Sequence, residues 1–242
     1  AVVGRALRSA DWIAACSVSV RSELLSSIPA LADRCSVIYN SLPDSDARPP
    51  VPLPSLPRLL CLGRLVDEKG FDIALAAFAA ACAAGVDVNL TVAGDGPLRS
   101  QLEAQARQLG IKERVDFLGW VHPHQTAALI DSATAVLMPS RRDPMPLVGL
   151  ETALRARPLI ATRAGGLAEM VLDGDTGILI DIGDVCALQE AIVYLLGDRR
   201  KATVMGERAR AHVDRSFPWR RHVDSYHGLY AQLSQRRRVG YD

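Results

Sequence analysis

Short apolar runs alternate with longer amphipathic stretches from residue 58 onward. Alternation of this kind is typical of repeated strand–helix units around a parallel sheet, whose strands are buried on both faces. Six runs are predicted to be strands, at residues 58–62, 88–93, 115–118, 135–139, 158–161 and 177–180. The sequence therefore predicts an α/β domain with a doubly wound, parallel, six-stranded Rossmann-like sheet.

Helical patterns lie between the predicted strands and after the last one. Those between strands cover residues 71–84, 97–108, 123–132, 147–155 and 167–171. After the last strand only helices are predicted, at residues 185–196, 199–216 and 219–235. Pro218 separates the final two, because proline cannot continue a helix interior. We expect this helical tail to lie over the sheet and beyond it.

The first 57 residues have a different pattern. They contain an apolar run at 12–16, a helix-like stretch at 19–27 and another apolar run at 36–39. One strand–helix unit and an extra strand cannot bury a core of their own. Residues 42–57 then hold six of the chain's 14 prolines, which is typical of a linker. The sequence thus predicts four divisions. Residues 1–45 are a remnant of a preceding domain, and residues 46–57 are a Pro-rich linker. Residues 58–217 form the main domain, and residues 218–242 form a terminal helix with its tail.

Charge and cysteine content argue against several classes of protein. With 28 basic and 27 acidic side chains, the net charge of +1 supplies no field that would draw nucleic acid. The longest uncharged apolar run, residues 73–86, is too short to span a bilayer. Five cysteines form neither a CxxC pair nor a zinc-type spacing, and their number is odd. We expect a soluble protein of a reducing compartment.

The loop after the first main strand reads GRLVDEKG and contains two cations, Arg64 and Lys69. Ligands of doubly wound sheets bind outside the carboxyl ends of the strands, where this loop lies. The two cations could flank a polyphosphate, or Arg64 could pair with Asp67 or Glu68 in a solvated turn. The loop is not a Walker P-loop, because Glu68 stands where that motif has its second glycine.

The loop after the second strand reads AGDGPL. Gly94 and Gly96 begin like a dinucleotide fingerprint, but Arg99 stands where the third glycine is required, so NAD binding is disfavoured. These glycines could instead allow a tight strand-to-helix turn or the close approach of a ligand, with Pro97 in the first helical turn.

Residues 140–151, SRRDPMPLVGLE, follow the fourth strand and run into a helix. The free backbone N–H groups at that helix start would attract an anion. Asp143 could be a ligand contact or a partner of the helix N-terminus, and Glu151 could be a ligand contact or a solvent-facing helix residue.

Two further features are explained as well by structure as by ligand binding. Gly165 and Gly166, followed by Glu169, could let the backbone approach a ligand or could form a flexible turn. His122 and His124 have no further ligand at metal spacing and are interpreted as surface residues.

These loops, in this order, resemble the donor-binding domain of retaining GT-B glycosyltransferases of the group 1 class, which is glycogen-synthase-like. The matching phrases are GRLVDEKGFDIALAAF, LTVAGDGPLRSQLE, RVDFLGWV, AVLMPSRRDPMPLVGLETALRARPLIATRAGGLAEMVLDGDTGILI and FPWRRHVDSYHGLY. Upstream, ADWIAACSVSVRSELL resembles the last strand and helix of the family's first domain, and CSVIYNSLP resembles the crossing to the second. The resemblance implies that the chain is the donor-binding half of such a cytoplasmic enzyme, inactive alone, and that it needs no metal and no cofactor.

The resemblance also implies roles for particular residues. Arg64, Lys69 and Asp143 would be catalytic: the two cations would bind the diphosphate of a UDP-, GDP- or ADP-sugar, and Asp143 would contact hydroxyls of the sugar. Glu151 would bind the ribose, and the stretch at Trp120 and Val121 would meet the base. The other residues implied in donor binding are Gly63, Gly94, Gly96, Ser140, Met145, Leu147 and Val148. The sequence differs from the family at Asp143, where Glu is usual, and at Pro146, where Gly is usual.

Two other functions and two other partners are compatible with the sequence. The chain could hold a nucleotide sugar without chemistry, or be a sugar-nucleotide epimerase of similar fold. The basic C-terminal segment, residues 199–238, could lie on anionic lipid or be only a solvated helical face. The apolar stripe from Trp219 to Leu233 is expected to pack on residues 12–27 or to drive self-association. The acceptor is not indicated by the sequence.

Overall fold

The computed structural model describes residues 2–43 and 49–239, without the side chains of residues 2–3 and 236–239. The strands of the chain are β1 Ile13–Ala15, β2 Cys35–Val37, β3 Arg58–Leu62, β4 Asn89–Ala93, β5 Val115–Gly119, β6 Ala135–Met138, β7 Leu159–Thr162 and β8 Gly177–Ile180. β1 and β2 form a separate parallel pair. The other six form one parallel sheet in the spatial order β5-β4-β3-β6-β7-β8, which confirms the predicted six-stranded fold.

The helices cover both faces of this sheet. They are α1 Val2–Ser9, α2 Val18–Ser27, α3 Phe71–Ala83, α4 Arg99–Gln108, α5 Pro123–Asp131, α6 Leu147–Leu154, α7 Leu167–Met170, α8 Val185–Leu196, α9 Arg199–Ser216 and α10 Trp219–Val239. Successive strand residues point to opposite faces. Leu59 and Cys61 of β3 therefore join the core under α3 and α8, whereas Leu60 joins the core under α6 and α9.

Most predicted elements agree with the structure to within two residues, but two local predictions were wrong. α4 begins at Arg99, so Pro97 is not in its first turn. Pro97 and Leu98 form a turn, and the Leu98 N–H donates to the carbonyl of Leu65 (3.0 Å). α1 was not predicted, although its sequence is strongly amphipathic.

The segment 2–43 packs against the main domain through its last residues. Tyr39 and Leu42 contact the core on the α6 side of the sheet, and Leu31 and Cys35 are buried between α2 and β2. The hydroxyl of Ser41 donates to the carbonyl of Phe217 (2.6 Å). This segment therefore gains its burial partly from the main domain, as expected for a unit too small to form its own core.

The second part of the predicted linker is fixed to the main domain. Arg157 is buried, and its guanidinium donates to the carbonyls of Val51 (2.9 Å) and Pro52 (3.3 Å). Burial lowers the Arg157 pKa, and the nearby Asp131 opposes that shift. Arg199 donates to the carbonyls of Leu53 and Pro54. Residues 49–54 therefore form a strap that is anchored to the main domain. Residues 46–48 of the predicted linker, and residues 44–45 before it, lie outside the described residues.

The terminal helix α10 is covered mainly on its first turns. His222 Nδ1 lies 2.7 Å from the carbonyl oxygen of Tyr39, and the segment 37–41 faces residues 216–225. Val223 and Tyr230 are exposed. Residues 37–41 thus contact the first turns of α10. Packing of the apolar stripe on residues 12–27 stays a prediction, as do self-association through the stripe and binding to anionic lipid. No helix in residues 2–43 and 49–239 has the length and apolar character that crossing a bilayer requires.

His212 of α9 is expected to make stability depend on pH. It is buried with its ring edge-to-face on Phe217 (5.9 Å between centroids), and burial, aided by Arg215, lowers its pKa. The unfolded chain therefore binds this proton more readily, so the free energy of unfolding should fall as pH drops below about 6.5. Urea unfolding from about pH 8 to about pH 5 should show a smaller acid loss for His212→Asn than for wild type. Identical pH profiles would contradict this assignment.

Candidate functional site

The strand order places a crevice at the carboxyl end of the sheet. From β3 the chain winds outward through β4 to β5, and then crosses back to β6 on the other side of β3. The loops after β3 and β6 therefore diverge, and a doubly wound sheet binds its ligands in the opening between them. The loops that contain Arg64, Lys69 and Asp143 are the two that border this opening.

Two glycines allow the loops after β3 and β4 to touch. A Cβ on Gly94 would lie 1.8 Å from the carbonyl oxygen of Gly63, and Gly94 has φ 140°. The Gly63 N–H in turn donates to the carbonyl of Ala93 (3.0 Å). Close packing between the two backbones therefore requires glycine at position 94. The sequence suggested that a ligand could approach this glycine closely, and the structure shows that the backbone of Gly63 does so. Gly96 packs likewise on the backbone of Leu65.

A cavity of about 270 Å³ opens beside these loops. It is lined by Leu62, Gly63, Arg64, Gly94, Asp95, Trp120, Val121, Pro123, Thr126, Val148 and Glu151. Seven of the thirteen residues predicted for donor binding or catalysis thus meet at one cavity. Four lining residues were not predicted as site residues: Leu62, Asp95, Pro123 and Thr126. Pro123 and Thr126 could have been found from the sequence, because they lie in the first turns of the helix that follows Trp120.

Arg64 lines this cavity. Its side chain is exposed and forms no ion pair with Asp67 or Glu68 in the described part of the chain. Asp67 instead lies 3.4 Å from Arg141. The alternative of a self-paired, solvated turn is therefore not what the structure shows, and the Arg64 cation is available to an anion in the cavity.

Lys69 and Asp143 form an ion pair beside the cavity. The Lys69 Nζ lies 2.6 Å from Asp143 Oδ2, and the Asp143 side chain is only 3% exposed against 22% for Lys69. The Ser140 hydroxyl, itself buried, donates to the same oxygen (3.2 Å). Gly63 connects the pair with the cavity, since a Cβ on Gly63 would lie 3.8 Å from Lys69 Cε. Asp143 does not cap α6, whose N-cap position is Pro146.

Arg141 ties the two loops of the crevice together. Its guanidinium donates to both carboxylate oxygens of Asp72 (2.9 and 2.6 Å), and its N–H donates to the carbonyl of Glu68 (2.8 Å). The hydrogen bond from Arg141 keeps the Asp72 pKa below its usual value, although burial opposes the shift. These contacts fix the distance between the loop with Lys69 and the loop with Asp143.

The remaining predicted residues differ in their access to the cavity. Glu151 and Val148 of α6 line it, and Trp120 stands at its edge with 68% of its surface exposed. Ser140 and Met145 are buried and do not line the cavity, and Leu147 is exposed at the start of α6. Ser140 and Met145 thus support the loop from within, which sequence spacing alone could not distinguish from ligand contact.

The cavity can bind a group that combines a flat ring, hydroxyls and an anion. Trp120, Val121 and Pro123 offer apolar and aromatic surface, and Glu151 offers acceptors for hydroxyl groups. Arg64 and the nearby Lys69 offer cations, and the charge of Lys69 is paired with that of Asp143. Within the described residues, no group of three or more His, Cys, Asp or Glu side chains is arranged to hold a metal ion.

Known proteins match most of this chain in sequence. Residues 47–212 match the family model described as "Glycosyl transferases group 1". The glycogen synthase of Mycobacterium tuberculosis is 33% identical over 218 residues, which are 88% of this chain and 52% of that protein. A GDP-mannose-dependent phosphatidylinositol monomannoside mannosyltransferase of Mycolicibacterium smegmatis is 33% identical over 189 residues, 74% of this chain and 50% of that protein. The chain thus spans about half the length of these curated relatives.

Solved structures share the fold. Anabaena HepE in complex with UDP superposes with a TM-score of 0.79 at 25% identity, over 96% of this chain and 66% of that one. TarM of S. aureus, solved with UDP and other ligands, reaches a TM-score of 0.85 at 15% identity, over 93% of this chain and 44% of that one. The architecture is that of the C-terminal Rossmann-like domain of the GT-B fold. By its sequence match and its fold, this chain belongs to the group 1 glycosyl transferase family.

Proposed function

We propose that this chain is the donor-binding half of a retaining, metal-independent glycosyltransferase that takes a hexosyl-type sugar from a nucleotide-diphosphate sugar. The observation that carries the proposal is the cavity at the point where the strand order reverses, with Arg64, Glu151 and Trp120 on its wall. A relative that is named as GDP-mannose-dependent, and a HepE structure that contains UDP, support the choice of donor.

The proposed roles follow from position and charge. The diphosphate lies against Arg64 and Lys69, the ribose hydroxyls donate to Glu151, and the base lies near Trp120 and Val121. A lysine ammonium has three donors, so Lys69 can keep its bond to Asp143 and still bind a phosphate oxygen. Asp143 accordingly has two proposed roles, to hold Lys69 toward the diphosphate and to contact the sugar.

The chemistry asked of this half is stabilisation of the leaving group. As the bond between sugar and phosphate breaks, negative charge grows on the diphosphate. Fixed cations then bind the transition state more strongly than the ground state, which is the condition for a faster reaction. Two protein cations can supply this charge stabilisation without a metal ion, and this is why we propose metal independence.

Transfer also needs a second wall for the acceptor, and that wall is proposed to lie in protein outside this chain. The chain alone should therefore bind the donor but transfer little sugar. The family match supports a transferase over an epimerase, and a binding module without chemistry would share the same donor site. Assay of a longer chain with labelled donors and acceptor extracts would separate the transferase from the binding module.

Donor binding to the chain itself can be tested by calorimetry and thermal shift. UDP, GDP and ADP, and the corresponding nucleotide sugars, should be compared with and without EDTA. At least one nucleotide diphosphate should raise the melting temperature, and EDTA should not change that shift. Glu151→Gln should weaken binding about tenfold by removing a charged acceptor for ribose hydroxyls, whereas Glu190→Gln, an exposed change on α8, should have no effect. Absence of any shift with all three nucleotides would refute the donor site.

A further inference from the structure

Glu169 connects the short helix α7 with the amino-terminal segment of the chain. Its carboxylate accepts hydrogen bonds from the N–H groups of Val18 (2.9 Å) and Ser19 (2.8 Å) and from the hydroxyl of Tyr39 (2.9 Å). Val18 and Ser19 begin α2, and the first N–H groups of a helix have no partner within it. The helix dipole also favours a carboxylate at this end. Glu169 therefore caps a helix that lies about 150 residues earlier in the sequence.

The other end of α7 is packed directly on the loop that contains Asp143. The Gly166 N–H donates to the Asp143 carbonyl (2.9 Å). A Cβ on Gly165 would lie 2.2 Å from that same oxygen, and a Cβ on Gly166 would lie 2.1 Å from the Pro144 carbonyl oxygen. Because no side chain separates the two backbones, a shift of α7 must move the backbone of Asp143. Gly165 and Gly166 thus allow the close approach of the protein backbone at Asp143 and Pro144.

The amino-terminal segment also holds the Asp143 loop by two direct contacts. Arg142 forms an ion pair with Glu23 of α2 (2.5 Å), and the Asn40 side-chain amide donates to the Met145 carbonyl (2.8 Å). The Arg142 pair is exposed on both sides and contributes little by itself. Glu169, with three bonds to the segment, is the principal connection on the α7 side.

We propose that Glu169 is a positioning residue for the donor sugar. Glu169 does not line the cavity. It fixes α2 against α7, and α7 in turn fixes the backbone of Asp143. The Asp143 carboxylate is thereby positioned for contact with the sugar. This inference rests on the proposed function for the step from Asp143 to the sugar. The steps from Glu169 to Asp143 are independent of any ligand.

The ligand-free step is tested by amide hydrogen exchange on this chain. In Glu169→Gln the side-chain amide cannot accept both backbone bonds, so the Gly166 amide and residues 142–147 should exchange about tenfold faster than in wild type. Asp175→Asn is the matched control, because it removes an exposed carboxylate that pairs with Arg208 (2.7 Å). Tyr39→Phe removes only one of the three bonds and should have a smaller effect in the same direction. Unchanged exchange at Gly166 in both Glu169→Gln and Tyr39→Phe would overturn the proposal.

The consequence for the donor is tested by the ratio of two dissociation constants, measured for a nucleotide sugar and for its free nucleotide diphosphate. In Glu169→Gln the nucleotide sugar should lose about tenfold in affinity while the nucleotide diphosphate changes less than about twofold. A variant that melts earlier but keeps this ratio would show that Glu169 is only a structural cap. If wild type binds none of the UDP-, GDP- or ADP-sugars, the proposed function fails, and the exchange measurement still decides the positioning step.

Discussion

Replacing Arg64 with alanine is expected to weaken the binding of nucleotide diphosphates about tenfold to a hundredfold, because one charge-assisted contact to phosphate is worth about 1.5 to 3 kcal/mol. The stability of the free protein should change by less than about 0.5 kcal/mol, since the Arg64 side chain is exposed and has no ion-pair partner among the described residues. Calorimetric titration gives the first quantity, and urea unfolding without ligand gives the second.

The control for Arg64 is Arg200→Ala. Arg200 is exposed at the start of α9, next to Arg199, which contacts the strap before the amino end of β3. It is thus at the opposite edge of the sheet from the cavity, and its removal takes away the same charge from the molecule. Equal losses of affinity in the two variants would show a general charge effect, and the assignment of Arg64 to the diphosphate would then be wrong.

The sheet could be predicted from the sequence because burial on both faces leaves a local signal. Most main strands contain a continuous apolar run, such as Leu59–Cys61 in β3, whereas the edge strand β5, VDFLG, includes the exposed Asp116. The spatial order of the strands has no such local signal. Nothing in the spacing of β3 and β6 says that they are neighbours, so the alternation of strands and helices predicted a doubly wound sheet but not this strand order.

The site could be predicted in part for the same reason. Arg64 stands directly after a strand, and a side chain in that place must lie at the ligand-binding edge of a parallel sheet. Asp143 also follows a strand, but its local sequence is equally compatible with a helix cap. Only the fold brings it to Lys69, which is 74 residues away in the chain.

Glu169 shows the limit of local inference most clearly. From sequence it could be interpreted only with the two glycines before it, as part of a turn or a ligand loop. Its partners Val18, Ser19 and Tyr39 use backbone N–H groups and a hydroxyl, and no periodicity or charge pattern marks such partners. The pKa of Tyr39 is raised in turn, because the side chain is partly buried and its hydroxyl donates a hydrogen bond to the Glu169 carboxylate.

The ion pair between Lys69 and Asp143 leads to the second large expected effect. Lys69→Met should lower the free energy of unfolding by about 2 to 3 kcal/mol, because it leaves the buried Asp143 carboxylate without its cation. The value lies at or below the low end for buried pairs, since Lys69 is 22% exposed and solvent can partly replace it. The same variant should also bind nucleotide diphosphates more weakly, as is expected of Arg64→Ala. Lys69→Met is thus expected to lower both stability and affinity, whereas Arg64→Ala is expected to lower affinity alone.

A double-mutant cycle decides whether the pair is responsible for that loss of stability. In Asp143→Asn the side chain can keep its bond from Ser140 but no longer carries a charge, so the combined variant with Lys69→Met has no unpaired buried ion. The combined variant should therefore be less destabilised than the sum of the two single variants, by about 1 to 2 kcal/mol in urea unfolding. Additive effects would mean that the pair is not coupled in solution. Lys69 would then be as available to the diphosphate as Arg64, and Asp143 would have no part in holding it.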